Sequence, residues 1–323
     1  MNRKIWVRVG LFFALLVIGG SILAIYIYHE ESREKVLELY IFNMKSGPAV
    51  FIRTPNDKRV LINGGSNSEI ISLITKILPF YSRRIDILMV TNDSAKNVTG
   101  LIDILNRYDV GKVYIPALNL AALGLASSTD PIYQIFLETA NEKNIPIGEL
   151  SKRDIIGLDN GKQSIGSKAI IQDVDAKILF PATSTEFAYS KASAPELIMN
   201  IRYGSTSFFM LGTATTKIQK FIASQGTTTS DVLMVWNSAS VDNLDAGLIE
   251  QIQPDYLVYS KSLTAAAPKA KTSSASSTSK SKKPKKIKID PLGYLNDANR
   301  YNIKAFEYIK ITSNGVNLRV ESN

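Results

Sequence analysis

Three features of this 323-residue chain predict an α/β protein, a four-layer αββα sandwich of two mixed sheets, behind one N-terminal transmembrane helix. One apolar run near the start is long enough to cross a bilayer. Beyond it, short β-rich runs give way to β-α-β alternation, and that order occurs twice. A hydrophobic fraction of 45% supplies the core that such a body needs.

The apolar run extends from Trp6 to Tyr28, 23 residues with no charge after Arg8. It reads as an uncleaved anchor and not as a signal peptide, because no small-x-small site follows it. Arg3 and Lys4 precede the run and Arg8 stands near its start, and Glu30, Glu31 and Glu34 crowd its far end beside Arg33 and Lys35. That asymmetry leaves the N-terminus cytoplasmic and the globular body outside the cell membrane, single-pass. Residues 1–35 are thus a cytoplasmic stub, anchor and juxtamembrane segment, and residues 36–323 are the folded domain.

From Val36, strands are expected over Leu37–Phe42, Ala49–Thr54 and Arg59–Ile62, separated by Ser46-Gly47-Pro48 and Pro55-Asn56-Asp57 turn signals. Ile70, Ile71, Ile74, Ile77 and Leu78 recur at helical spacing. Ile85–Val90 is a continuous apolar run that suits a buried parallel strand. A helix over Val98–Tyr108, a strand over Val113–Ile115 and a helix over Pro131–Asn144 complete the first half. The second half has strands at Lys177–Phe180, Glu196–Tyr203 and Thr206–Leu211, then a helix near Lys217–Ala223. Asp231–Val235, a helix around Leu244–Ile252, and Tyr256–Tyr259 follow. Residues 261–288, almost wholly Ser, Lys, Ala, Thr and Pro, form a disordered insertion. After it, a helix over Pro291–Arg300, a strand over Ile303–Ile311 and a turn at Ser313-Asn314-Gly315 into Val316–Val320 are expected.

The formal charge is +9, but eight lysines with no acidic residue among them lie in the stretch from Lys269 to Lys288, namely Lys269, Lys271, Lys280, Lys282, Lys283, Lys285, Lys286 and Lys288. Subtracting those eight leaves +1, so the folded part is near neutral and only the arm invites a polyanion. No aromatic residue interleaves the lysines, which predicts phosphate attraction without base stacking. DNA, anionic wall polymer and anionic lipid remain open as its ligand, beside a plain solvated spacer. The absence of cysteine excludes thiolate metal sites, thiol catalysis and disulfides. His29 is the single histidine and sits at the end of the anchor, which excludes Ser/His/Asp hydrolysis and multi-histidine metal sites in the body.

Four stretches carry a resemblance. The first is Phe42-Asn43-Met44-Lys45-Ser46-Gly47-Pro48-Ala49-Val50-Phe51-Ile52-Arg53-Thr54-Pro55-Asn56-Asp57-Lys58 with Val60-Leu61-Ile62-Asn63-Gly64-Gly65. The second is Thr91-Asn92-Asp93-Ser94-Ala95-Lys96-Asn97-Val98-Thr99-Gly100. The third is Ser207-Phe208-Phe209-Met210-Leu211-Gly212-Thr213, and the fourth is Asp231-Val232-Leu233-Met234-Val235-Trp236-Asn237-Ser238-Ala239-Ser240. Together they resemble the metallo-β-lactamase fold, closest to the C-terminal domains of ComEC-type competence DNA-uptake proteins. In that family the opening strands read L-D-V-G-Q-G-D-A-I-L-I-R-T-P-N-G-K-x-V-L-I-D-G-G, the metal signature T-H-x-H-x-D-H, the bridging strand S-F-L-L-T-G-D, and the last motif D-V-L-K-V-P-H-H-G-S. Here Asn43, Pro48 and Asn63 replace the three opening aspartates. Asn92, Ser94 and Asn97 take the histidine positions, and Lys96 that of the aspartate. Thr213 replaces the bridging carboxylate, and Asn237 and Ser238 the last histidine pair.

The resemblance therefore implies a site whose frame is kept and whose ligands are gone, holding no metal and no other cofactor. Amides and hydroxyls are poor zinc ligands beside imidazole, and an ammonium repels a cation. Asp93, Asp86 and Asp103 stay open as holders of a lone magnesium ion. Lys96 is expected to fill the vacated space with its own charge, paired to Asp93 or beside Asn92 and Asn97, the alternative being an exposed lysine near a helix N-terminus. The expected function is a membrane-anchored, inactive binding or accessory module for DNA or another polyanion. The alternatives are an active metal-dependent phosphodiesterase with other ligands, or a structural partner of an unidentified protein.

Overall fold

The computed structural model describes residues 11–21, 35–79, 81–117, 130–159, 173–190, 195–226, 229–236, 244–260, 293, 295 and 299–323. The chain divides into two units, Met1–Lys35 and Val36–Asn323. In the first, residues 11–21 are a helix, α1, whose Leu11, Phe12, Phe13, Leu15, Leu16, Val17 and Ile18 side chains are exposed. Among the described residues no helix is long and apolar enough to cross a membrane. The remainder of the 6–28 run lies outside the described residues.

The second unit holds two sheets. In the first, β1 (Leu37–Phe42), β2 (Val50–Arg53) and β3 (Arg59–Ile62) form an antiparallel meander. From β3 onward the sheet is parallel through β4 (Arg84–Met89), β5 (Asp109–Pro116) and β6 (Ile147–Leu150). The crossovers are α2 (Glu69–Ile77), α3 (Ala95–Arg107) and α4 (Pro131–Glu142). In the second sheet β7 (Ile155–Gly157), β8 (Val174–Phe180), β9 (Ile198–Tyr203) and β10 (Thr206–Gly212) are antiparallel. Then β11 (Val232–Val235), β12 (Tyr256–Tyr259) and β13 (Arg300–Asn302) run parallel to β10, connected through α5 (Thr216–Ser224) and α6 (Ala246–Ile252). The chain then returns to the first sheet, where β14 (Tyr308–Ser313) pairs with β1 and β15 (Leu318–Ser322) with β14.

Alternation along the strands builds the layers. Leu37, Leu39 and Ile41 of β1 point to a core shared with Ala176, Ile178, Phe208 and Met210 of the second sheet. Tyr40 and Phe42 point the other way, to Ile70, Val98 and Phe136 on α2, α3 and α4. Phe209 and Leu211 likewise meet Ile218 and Ile249 on α5 and α6. Three apolar clusters between four layers give the αββα order, and a buried side chain of this size contributes about 1.5–3 kcal/mol.

Two helix starts follow directly from local chemistry. Ser94 caps α3 by accepting from Lys96 N, and Asp130 caps α4 by accepting from Ile132 N, with Pro131 supplying a preset φ at the first position. Sequence reasoning missed β6 and β7, both short glycine-containing edge strands. The strand expected over Ile303–Ile311 is instead broken. Asn302 caps a 3-10 turn at Ile303–Ala305, and the strand begins only at Tyr308. The helix expected over Pro291–Arg300 falls mostly outside the described residues, and Arg300 itself opens β13. The insertion at 261–288, with the eight lysines from Lys269 to Lys288, also lies outside them.

Candidate functional site

The parallel strands of both sheets end at one edge, the position where α/β sheets carry their sites. Glycines pack the backbone there. A Cβ on Gly47 would lie 1.9 Å from Lys96 O, one on Gly64 2.7 Å from Leu101 N, and one on Gly100 2.0 Å from Gly64 O. Gly64 N donates to Asn97 O at 2.8 Å, Gly100 N to Gly65 O at 3.1 Å, and Ser66 N to Ser46 O at 3.1 Å. The β1–β2 loop, the exit of β3 and the first turn of α3 therefore touch main chain to main chain. This is the physical reason that glycines hold these places in the motif frame.

On that frame sits a run of neutral side chains. Asn63, buried at φ 58°, donates through Nδ2 to Thr91 Oγ1 at 2.9 Å and accepts Thr91 N at 2.9 Å. Asparagine tolerates that left-handed backbone. Asn97 Nδ2 donates to the same Thr91 Oγ1 at 3.1 Å and to Asn92 Oδ1 at 2.6 Å. Asn92 Oδ1 also accepts Ser94 N at 3.1 Å. The four matched positions Asn63, Asn92, Ser94 and Asn97 thus converge, bonded to one another, to Thr91 and to the main chain.

The second sheet contributes Glu196 and Thr213. Leu197 N donates to Thr91 O at 2.6 Å, joining the two sheets beside the run. One residue earlier, Glu196 Oε1 accepts both Thr213 N and Thr213 Oγ1 at 2.8 Å. Burial pushes the Glu196 carboxyl up to about 7, although the two bonds from Thr213 oppose the shift. Sequence reasoning missed Glu196; the available signal was one acid within the apolar run Ala194-Pro195-Glu196-Leu197-Ile198. Trp236 N donates to Gly212 O at 3.0 Å, and its indole Nε1 is buried without a partner. Asn237 and Ser238 lie outside the described residues.

Lys96 does not fill the site. It is exposed and in no ion pair among the described residues. The helix turns about 100° per residue, so placing Asn97 inward directs its neighbour outward. Asp93 neighbours Asp130 instead: burial pushes its carboxyl up, and the Asp130 charge adds to the shift. Asp130 also accepts Ala95 N at 3.1 Å. Another lysine occupies the first motif position. Lys304 Nζ donates to Asn43 Oδ1 at 3.1 Å and to Met44 O, while Asn43 Nδ2 donates to Phe306 O at 2.8 Å. Pro48 stands in the same loop. Asp86 and Asp103 stand elsewhere, Asp86 paired with Lys58 and Arg84, and Asp103 accepting from Ser68 Oγ.

Among the described residues no group of three or more His, Cys, Asp or Glu side chains could hold a metal ion. Asn63 and Asn97 do not fit a dinuclear centre either, since their amide nitrogens donate to Thr91 and Asn92. Chemically the arrangement offers neutral donors and acceptors, with Glu196 as the group that titrates near neutrality. The insertion leaves β12 at Ser260, whose N donates to Val235 O at 3.1 Å, at the same sheet end as Thr213 and Trp236.

No family model and no curated protein matches the chain. Among solved structures it is similar to the metallo-β-lactamase fold protein YhfI from Bacillus subtilis, with TM-score 0.42 and 8% identity over 69% of this chain and 85% of that one. It is also similar to a diphosphatase from the PhnP family, with TM-score 0.40 and 12% identity over 69% and 86%. A third is CmlA, a diiron β-hydroxylase from Streptomyces venezuelae, with TM-score 0.42 and 15% identity over 71% and 45%. These are likenesses of chain course alone.

Proposed function

We propose that this chain is a membrane-anchored module of metallo-β-lactamase type that binds and does not hydrolyse, with a polyanion such as DNA as its ligand. The observation that carries the reading is the hydrogen-bonded run of Asn63, Thr91, Asn97 and Asn92, in which the side chains at three metal-ligand positions bond through Thr91 and to each other. Such a run has no carboxylate or imidazole to lower the pKa of a bound water. The eight lysines from Lys269 to Lys288 supply the attraction, in an insertion that begins where the chain leaves the sheet at the site's own edge. Basic residues before the 6–28 run and acidic ones after it support an N-terminus in the cytoplasm and a body outside. A role in competence-related DNA uptake follows from the sequence resemblance to ComEC-type domains.

The test uses the full chain in nonionic detergent. Metal content and phosphodiesterase activity are measured after separate exposure to zinc, manganese and magnesium, and duplex DNA binding is followed by fluorescence anisotropy at several salt concentrations. No bound metal, no turnover, and an affinity that falls steeply with salt and disappears on deleting residues 261–288 are expected. Stoichiometric metal with turnover would establish the second reading, a hydrolase with unmatched ligands, which the neighbouring carboxylates Asp93 and Asp130 favour. Absence of metal, turnover and DNA binding would leave a structural partner.

A further inference from the structure

At the opposite end of α3 from the run, about 18 Å along the helix at ~1.5 Å per residue, the C-terminal ends of α2 and α3 enclose a cavity of about 430 Å³. That volume is within the range of small-molecule sites, about 300–1,000 Å³. Ile71, Leu78 and Pro79 form its apolar lining, and Thr75, Ser82, Arg83, Asn106, Arg107 and Tyr108 line the rest. No acidic residue lines it. Arg83 and Arg107 are exposed, and neither guanidinium takes part in an ion pair or hydrogen bond among the described residues. Both lie close enough to Tyr108 for their charges to oppose the rise that burial imposes on its phenol. Arg59 Nη1 donates to Ser82 Oγ, which leaves the Ser82 hydroxyl hydrogen free to be given to a ligand. The cavity thus combines two unpaired cations, hydroxyl donors and an apolar lining, without a competing carboxylate.

We propose that this cavity binds a phosphomonoester carrying an apolar or aromatic group, with Arg83, Arg107, Tyr108 and Ser82 on the phosphate and Ile71, Leu78 and Pro79 under the apolar part. Guanidinium forks match the oxygens of a phosphate dianion, and two of them distinguish it from a neutral ligand. The apolar lining distinguishes the ester from inorganic phosphate. This site is separate from the run and does not depend on the polyanion reading.

Calorimetric titration of the full chain in nonionic detergent with phenyl phosphate, inorganic phosphate and phenol tests it. Phenyl phosphate should bind at least about tenfold more tightly than either fragment. Its affinity should rise with pH through about 6, where the second phosphate proton is lost. Arg83→Gln with Arg107→Gln should weaken it by about tenfold or more while the unfolding midpoint stays unchanged, because both side chains are exposed. Deleting residues 261–288 should leave it unaffected, which separates this site from the lysine arm. Equal binding of inorganic phosphate and phenyl phosphate, or equal affinity in the wild type and the double variant, would overturn the proposal.

Discussion

Replacing Glu196 with glutamine should make the protein more stable at pH 8 and leave it nearly unchanged at pH 4. In the folded chain the Glu196 carboxyl titrates at about 7, against an ordinary 4.5. Between those values the native state holds a proton that the unfolded chain has released, so stability falls as pH rises through the window. Above about pH 7 the loss is complete. At about 1.36 kcal/mol per pH decade, the window is worth about 3 kcal/mol. Glutamine keeps an Oε1 that accepts Thr213 N and Oγ1, and it has no proton to lose. Its near-identical shape matters, because a Cβ on Gly212 would already lie 2.5 Å from Glu196 Oε1. Urea unfolding of both proteins at pH 4, 5, 6, 7 and 8, followed by tryptophan fluorescence, gives the difference directly, and other titrations cancel. A difference that grows from near zero to about 3 kcal/mol in favour of the variant is expected. A difference that is flat across pH, or a wild type more stable at pH 8, would mean that Glu196 carries no raised proton affinity in the folded chain.

Three other outcomes follow from the same contacts. Asn97→Ala removes the donor shared by Thr91 Oγ1 and Asn92 Oδ1, and should lower stability by about 1–3 kcal/mol in a denaturant titration. Gly100→Ala lies in α3, where alanine ordinarily gains about 1 kcal/mol over glycine. Its Cβ would meet Gly64 O at 2.0 Å, so a net loss of about 1–3 kcal/mol is expected by the same measurement. Burial pushes the Glu38 and Asp86 carboxyls up, but Lys310 and Arg53 on the first, and Arg59 N, Lys58 and Arg84 on the second, outweigh it and hold both low. Depressed carboxylates stabilise the fold above their unfolded values, 4.5 and 3.8, and that stability is lost as pH falls through the folded ones. Glu38→Gln with Asp86→Asn should therefore flatten the acid limb of an unfolding profile below pH 4.5.

Much of the body is legible locally. The runs at Leu37–Phe42, Arg59–Ile62 and Tyr256–Tyr259 are strands to the residue, because an apolar run bounded by turn residues leaves the backbone few alternatives. Edge strands β6 and β7 escaped notice, since glycine dilutes their pattern and their pairing depends on a neighbour distant in the chain. Ile303–Ile311 is apolar enough to suggest one strand, yet Lys304 is drawn to Asn43, 261 positions away, and the 3-10 turn places it there. Side-chain direction on α3 was equally hidden: the expected helix began only at Val98, with Lys96 and Asn97 before it, and packing against Gly64 and Thr91 decides that Asn97 lies in the helix and faces inward.

The apolar N-terminal run, the two β-then-β-α-β halves, the lysine-rich insertion and the exclusion of cysteine chemistry are legible from residue order alone. Each of these depends on composition or on contacts within a few residues. Folding brings Asn63, Thr91, Asn97 and Asn92 into one hydrogen-bonded run, buries Glu196 against Thr213, and sets Arg83 and Arg107, without an ion pair among the described residues, beside Ile71, Leu78 and Pro79. Hydrogen-bond partners and burial are properties of surfaces brought together from distant parts of the chain, and they set the charge state and reach of a side chain whose identity alone leaves both undetermined.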